Sequence, residues 1–361
     1  VARKALMLGS CHGEYQTPLP ITFIDNNDPH ATSGSAACKI VAFLDRPPAM
    51  TPDALATLHQ HLLIALDPAP EETRRLFHGR GRCWPGLEQV TVDWLQGVLL
   101  VALFKPLGDT ELQALQAMLL DLSQSTAWQQ SGAHSLLLQQ RYLPESPTQW
   151  LLGEPVEHWD ICEHGLKYRL DLGRKQNTGL FLDMRYGRQW VQAHAAGKRV
   201  LNLFAYTCGF SVAALAGGAT HVVNLDMAKA ALSRGRDNHR LNQHDLSQVV
   251  FLGHDLFKSW GKVAKYGPYD LIIIDPPSFQ RGSFVLSKDY PKVLRRLPEL
   301  LNAHGTVLAC SNEPEIGPDY LIQAMASEAP ELRFDERLSN PPEFPDSQPD
   351  SALKALVFHK T

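Results

Sequence analysis

The apolar run Leu271-Ile272-Ile273-Ile274 ends abruptly in Asp275-Pro276-Pro277-Ser278-Phe279. An unbroken aliphatic run is the pattern of a strand buried on both faces of a parallel sheet, and two residues without N–H groups stop its ladder. Asp275 is therefore expected at the carboxyl edge of the sheet, where open α/β folds bind ligands. A carboxylate, the carbonyls around Pro276 and Pro277, and an aromatic at Phe279 suit a flat, polar, hydrogen-bonding ring. The bland alternative is a buried strand with a plain proline turn.

Other strand ends supply further polar groups. After the apolar stretch that closes on Phe204 comes Ala205-Tyr206-Thr207-Cys208-Gly209-Phe210, where Gly209 is expected to permit a tight turn and close backbone approach before a helix N-terminus. The dehydrogenase fingerprint G-x-G-x-x-G is absent. Asp226 ends the next strand, where a carboxylate can accept both hydroxyls of a ribose. Asp255 follows a third strand and could accept from an adenine amino group, with Leu256 or Phe257 covering the ring. Any one of these carboxylates could be surface decoration; three at successive strand ends of one sheet are hard to obtain by chance.

The elements that must position these residues alternate in type after Gly187, the signature of a doubly wound sheet. Strands are expected at 199–204, 221–225, 249–252, 270–274, 306–310, 332–338 and 353–359, and helices at 210–216, 228–241, 288–302 and 316–327. The last two strands have no helix between them and should pair antiparallel. Upstream, Val90–Trp94 and Val98–Leu103 read as a hairpin and 111–123 as a helix, a small α+β module. Residues 1–70 read as an irregular and partly helical N-terminal segment, 71–164 as the small α+β domain, and 165–361 as the catalytic domain.

Composition sets outer limits. With 361 residues and 44% hydrophobic content the chain can bury ordinary cores. No apolar run approaches a membrane span and no signal-peptide core is read, so a cytoplasmic location is expected. The six cysteines form no C-x-x-C pair, which suggests neither a zinc site nor a disulfide framework. Charge is unevenly divided: residues 1–160 carry 10 Lys+Arg against 17 Asp+Glu, and residues 161–361 carry 24 against 21. The cations cluster at Lys167, Arg169, Arg174, Lys175, Arg185, Arg188 and Lys198, and again at Arg281, Lys288, Lys292, Arg295 and Arg296. Such a rim could hold phosphates, and solvated helix faces explain it as well.

Four blocks carry a family resemblance: Asn177-Thr178-Gly179-Leu180-Phe181-Leu182-Asp183-Met184-Arg185, Leu201-Asn202-Leu203-Phe204-Ala205-Tyr206-Thr207, Asn238-His239-Arg240-Leu241-Asn242 and Asp275-Pro276-Pro277-Ser278-Phe279. They resemble the class I S-adenosylmethionine-dependent methyltransferases of large-subunit ribosomal RNA, in particular the related cytosine-C5 and guanine-N7 enzymes. The resemblance covers about 160–361 well and 79–105 more loosely. No stretch reads as the PUA domain of the cytosine enzymes or as the fused second methyltransferase of some guanine enzymes. It implies a Rossmann-like seven-stranded methyltransferase sheet with an antiparallel last strand, S-adenosylmethionine as cofactor and RNA as partner. By the same resemblance the Thr178–Arg185 block closes over the methionine end of the cofactor, with Asp183 and Arg185 matching its amino and carboxylate groups. Phe204, Tyr206 and Gly209 would line the cofactor loop, Asp226 the ribose, and Asp255 and Leu256 the adenine.

Methyl transfer from a sulfonium chiefly requires alignment and exclusion of water. Guanine N7 already has a lone pair, so positioning by Asp275, Pro276, Pro277 and Phe279 could suffice. Cytosine C5 is not nucleophilic: a thiolate must attack C6, and a base must later remove the C5 proton. Cys310, in Leu308-Ala309-Cys310-Ser311-Asn312, is the candidate thiol. Cys310-Ser311 matches two positions of the Ser-Cys-Ser triplet of the cytosine enzymes, and Ser311-Asn312 matches the Ser-Asn pair of the guanine enzymes, so both chemistries stay open. An adenine amino methyltransferase is disfavoured because Ser278 separates Pro277 from Phe279. Two rivals remain: a cofactor-binding RNA assembly factor without activity, and a methyltransferase acting on a small molecule or protein.

Overall fold

A computed structural model of the chain describes residues 49–173, 176–280 and 284–361, with the side chains of residues 279 and 280 left outside that description. Helix α1 (Pro52–Ala65) starts where Thr51 accepts the Ala54 N–H at 3.2 Å, with proline at the first helical position. Helix α2 (Asp109–Leu122) is tied to it through Glu111, whose carboxylate accepts the Gly108 N–H at 2.8 Å and the Met50 N–H at 3.0 Å.

A five-stranded sheet runs in the order β1 (Arg74–His78), β2 (Val90–Trp94), β3 (Val98–Leu103), β4 (Ser135–Gln140), β5 (Thr148–Leu152), with only β3 and β4 parallel. The alternation of β2, β3 and β4 divides its two faces. Val90, Val92, Leu99, Val101, Leu103, Leu136 and Leu138 pack on Leu58 and Leu62 of α1 and Leu115 and Leu119 of α2. Thus α1, which falls within the stretch read as the N-terminal segment, shares the core of the five-stranded sheet. The opposite face, with Val98, Leu100 and Leu137, packs on a hairpin of β6 (His158–Glu163) and β7 (Leu166–Asp171) and on Leu180, Leu182, Val212 and Ala213. An apolar layer therefore joins this sheet to the residues that precede and flank the larger one.

The larger sheet has seven strands: β8 (Arg199–Leu203), β9 (His221–Asp226), β10 (Val249–Gly253), β11 (Tyr269–Ile274), β14 (Leu301–Ser311), β15 (Leu332–Arg337) and β16 (Lys354–Lys360), while the short antiparallel pair β12 (Phe279–Gln280) and β13 (Phe284–Val285) stands apart from it. Their spatial order is β10-β9-β8-β11-β14-β16-β15, and β16 is antiparallel to both neighbours. The order reverses between β8 and β11, so the carboxyl ends of these strands flank a topological switch point. Helices α3 (Arg185–His194) and α4 (Gly209–Ala216) cover one face, and α6 (Leu286–Leu294) and α7 (Pro318–Glu328) the other, while α5 (Lys229–Leu241) packs against β7 and β9. Leu271, Ile272, Ile273 and Ile274 are wholly buried, as a strand covered on both faces requires. The helix expected over 288–302 instead stops at Leu294, a short turn spans Leu297–Leu300, and β14 takes over at Leu301. Pro298 has no N–H for a continuous helix and favours a new first turn. Among the described residues no helix is long and apolar enough to cross a membrane.

Candidate active site

The first cavity, 430 Å³, lies over the carboxyl ends of β8, β9, β10 and β11. Asp183, Phe204, Tyr206, Asp226, Asp255, Leu256, Asp275, Pro276 and Pro277 all line it, so most of the residues singled out in the sequence meet here. The register explains the meeting, because Ile274 lies beside Leu203 of β8 and Ala309 of β14, and Gly253 beside Asp226.

The loop after β8 bends at Phe204, Tyr206 and Cys208, with φ of 56°, 47° and 62°. Left-handed backbone at three alternating non-glycine residues is strained and persists only where the surroundings hold it. Asp226 supplies part of that hold: its carboxylate accepts the Tyr206 N–H at 2.8 Å and the Ala228 N–H at 2.7 Å. Burial raises the Asp226 pKa, opposed by these two donors. Gly209 is not the turn residue expected of it. It opens α4 beneath the loop, where an added Cβ would meet Leu180 Cδ1 at 3.3 Å and Arg188 Cδ at 3.4 Å.

Asp255 caps the turn after β10 by accepting the Phe257 N–H at 2.9 Å, which orients one carboxylate oxygen and leaves Leu256 buried against the cavity floor. Asp275 faces the cavity from the end of β11, on the other side of β8 and β9. Burial, then the neighbouring Asp183, pushes its carboxyl up to about 7, against the pull of Arg188. Asp183 is likewise raised by burial, with Arg75 and Arg188 opposing.

Arg188 forms a buried bidentate pair with Glu163 at 2.6 and 2.8 Å and donates to the Phe181 carbonyl at 2.9 Å. This pins α3 to β6 and fixes the segment that carries Asp183. Arg185 faces elsewhere, bonded to Glu343 at 3.0 Å and to His164 at 3.2 Å, so the structure does not bring it to the first cavity. Thr178 lines an adjoining cavity instead. The side chain of Phe279 lies outside the described residues; Phe284, edge-on to Phe204 with centroids 5.0 Å apart, is one of the aromatics that line the site.

Cys310 sits beside Asp275 at the end of β14 but points into the core shared by Val200, Leu271, Leu308 and Leu353, wholly buried. Burial, then the Asp275 and Asp183 charges, pushes its thiol well above the usual range. Its carbonyl accepts the Tyr290 hydroxyl at 3.0 Å. In this arrangement the sulfur is protonated and out of reach of the cavity.

The expected basic rim is largely neutralised by local pairs. Arg169 bonds Asp160 at 2.6 Å, Lys292 bonds Asp289 at 2.8 Å, Arg295 bonds Glu328 at 2.7 Å and Arg296 contacts Glu299. Arg174, Lys175 and Arg281 fall outside the described residues. Sequence reasoning missed Phe181, Met184, Met227 and His254 on the cavity wall, and Arg75, Arg80 and Arg141 next to it. Arg74, Arg75, Arg80 and Arg82, crowded into the acidic half of the chain, were the available signal for the latter group.

The wall of the first cavity carries four carboxylates and, among the described residues, no lysine or arginine. Such a site opposes a dinucleotide with its pyrophosphate and suits a nucleoside that bears positive charge. Phe204, Met227, Leu256 and Phe257 supply apolar plates, and Asp226 an acceptor for a diol. These residues fit S-adenosylmethionine.

Comparison with known proteins agrees. Residues 74–359 match the family described as S-adenosylmethionine-dependent methyltransferase. The chain is 43% identical over 161 residues to ribosomal RNA large subunit methyltransferase I of Aeromonas salmonicida, covering 44% of this chain and 41% of that protein. It is 32% identical over 270 residues to the Serratia proteamaculans protein of the same name, covering 71% of this chain and 64% of that one. It thus spans less than two thirds of the length of these relatives. The solved structure of the methyltransferase SMU.776 complexed with SAH superposes with a TM-score of 0.72 at 25% identity, covering 84% of this chain and 80% of that one. A doubly wound sheet with an antiparallel last strand, an acidic cavity at its switch point and a family match over nearly all the described residues lead to one conclusion: the chain belongs to the S-adenosylmethionine-dependent methyltransferases.

Proposed function

We propose that this protein methylates a base of large-subunit ribosomal RNA, with C5 of a cytosine as the first reading. The observation that carries it is the single cavity in which Asp226, Asp255 and Leu256 on the donor side meet Asp275, Pro276 and Pro277 on the acceptor side. The names of the relatives and the resemblance to the cytosine enzymes support RNA as the acceptor.

In this reading Asp226 receives the ribose hydroxyls, and Asp255 with Leu256 the adenine. Asp183 receives the amino group at the methionine end. The bound cofactor would supply an electrophilic methyl on a cationic sulfur. The chain's own part is alignment, exclusion of water and proton handling. At C5 of cytosine the Cys310 thiolate adds to C6 and C5 takes the methyl. A base then removes the C5 proton as the C6–S bond breaks and the thiolate is released. Asp275, titrating near neutrality, is suited to exchange a proton with the ring. Burial of Cys310 requires this thiol to be uncovered and deprotonated when RNA binds, and the same burial favours a second reading, attack by guanine N7, which needs no thiolate.

The test is transfer of tritiated methyl from S-adenosylmethionine to protein-free large-subunit rRNA, followed by nucleoside mass spectrometry. 5-Methylcytidine, a covalent complex with 5-fluorocytosine RNA and loss of both in Cys310→Ala support the first reading. N7-methylguanosine with activity retained in Cys310→Ala supports the second. Cofactor binding without transfer to any rRNA would make the protein a non-catalytic binder and overturn both.

A further inference from the structure

A second cavity of 510 Å³ opens beside the first and shares Asn177, Phe181, Asp183, Asn312 and Leu353 with it. It lies between the five-stranded sheet and the segment that leads into the larger sheet, and its wall sets cations among the four carboxylates Glu88, Asp93, Asp183 and Asp346, where its neighbour has carboxylates and no lysine or arginine among the described residues. Arg75, Arg80, Arg82, Lys105 and Arg141 line it. Arg75 is satisfied by Asp93 at 2.5 and 3.3 Å, and Arg82 reaches Asp346 at 3.5 Å. Arg80 and Arg141 have no carboxylate in ion-pair contact among the described residues. Their guanidinium carbons stand 4.2 and 4.8 Å from the centroid of the same Phe104 ring, so one aromatic surface presents two cations together. Arg141 donates to Asn177 Oδ1 at 2.9 Å, while its Nε is buried with no acceptor. Burial, then the Arg75 charge, disfavours the cation at Arg80; burial, then the Arg80 charge, does so at Arg141. Crowded like charges with an unmet donor, held in a concave wall, are a site awaiting an anion.

The geometry points to this cavity as the seat of the phosphodiester backbone of a single-stranded RNA segment flanking the target nucleotide, with Arg80 and Arg141 as its phosphate ligands. The inference rests on RNA being the substrate. A base extruded into the acidic cavity stays covalently joined to its backbone, and the strand must leave through a neighbouring opening that tolerates phosphate. The shared wall at Asn177 and Asn312 gives that continuity. The first cavity suits a cationic cofactor, and in the second the carboxylates Asp93 and Asp346 are taken by Arg75 and Arg82, which leaves Arg80 and Arg141 to receive a polyanion.

Fluorescence anisotropy with a labelled, unstructured oligocytidylate tests this as a function of salt. The double variant Arg80→Gln/Arg141→Gln should bind about tenfold more weakly or worse. The slope of log K against log salt should fall by about 1.4, that is about 0.7 for each lost phosphate contact on a single strand. Arg80→Gln alone, which leaves the Arg141–Asn177 bond in place, should lose half of that slope change and covers the case in which the double variant misfolds. S-adenosylhomocysteine affinity should match wild type in both, and Arg240→Gln, an exposed pair on α5, should bind RNA as wild type does. Wild-type protein that fails to bind the oligonucleotide, or variants that keep its affinity and slope, would overturn the assignment. If wild type binds RNA through these arginines yet transfers no methyl to rRNA, the substrate reading fails while the cavity assignment stands.

Discussion

Replacing Asp275 by asparagine exposes the electrostatics on which the acceptor side depends. Burial, then Asp183, lifts this carboxyl from 3.8 to about 7. Since the folded value exceeds the unfolded one, the folded state holds the proton more tightly. The associated stability is complete below about pH 4 and is lost as pH rises through 7. A displacement of about three pH units sets a ceiling of about 4 kcal/mol. The carboxyl faces the water of an open cavity, so roughly half, about 2 kcal/mol, is the realistic cost of ionising it at pH 8. Asp275→Asn keeps the shape and abolishes the titration. Urea unfolding should therefore find the variant more stable than wild type by about 2 kcal/mol at pH 8, with the difference closing towards pH 4, while methyl transfer falls by roughly 10²-fold. A second variant, Asp183→Asn, removes the like charge and should move the wild-type transition to lower pH. A stability difference between wild type and Asp275→Asn that does not vary with pH would refute this reasoning.

Two further outcomes follow from neighbouring contacts. Asp226→Ala removes the acceptor of the Tyr206 and Ala228 N–H groups as well as the proposed ribose contact, so S-adenosylhomocysteine affinity should fall by about 10- to 100-fold in isothermal titration; an unchanged affinity would move the ribose elsewhere. Glu163→Gln leaves the Arg188 guanidinium buried without its counter-charge and should cost about 3–5 kcal/mol in urea unfolding at neutral pH, whereas a loss below about 0.5 kcal/mol would mean that solvent reaches the pair.

Local sequence was sufficient for whatever depends on the chain's own periodicity. The run Leu271–Ile274 had to be a doubly buried strand, and Pro276 and Pro277 had to end it, because apolar period and missing N–H groups act within a few residues. The same holds for the carboxylates Asp226, Asp255 and Asp275, since a strand end in an alternating α/β pattern has only one edge at which to appear. Tertiary structure decided the rest. Whether Cys310 faces the cavity or the core is set by which face of β14 meets α3 and α4, and packing placed the thiol inside. Whether Arg185 or Arg188 stands near Asp183 turned on long-range partners, Glu343 for the former and Glu163 for the latter. Arg80 and Arg141 lie far apart in the chain and become one site only because β1 and β4 sit in the same sheet, whose far face packs against the segment leading to the larger one. Side-chain type and spacing thus named the chemistry at each strand end, while the pairing of charges, being a sum over distant partners, awaited the fold.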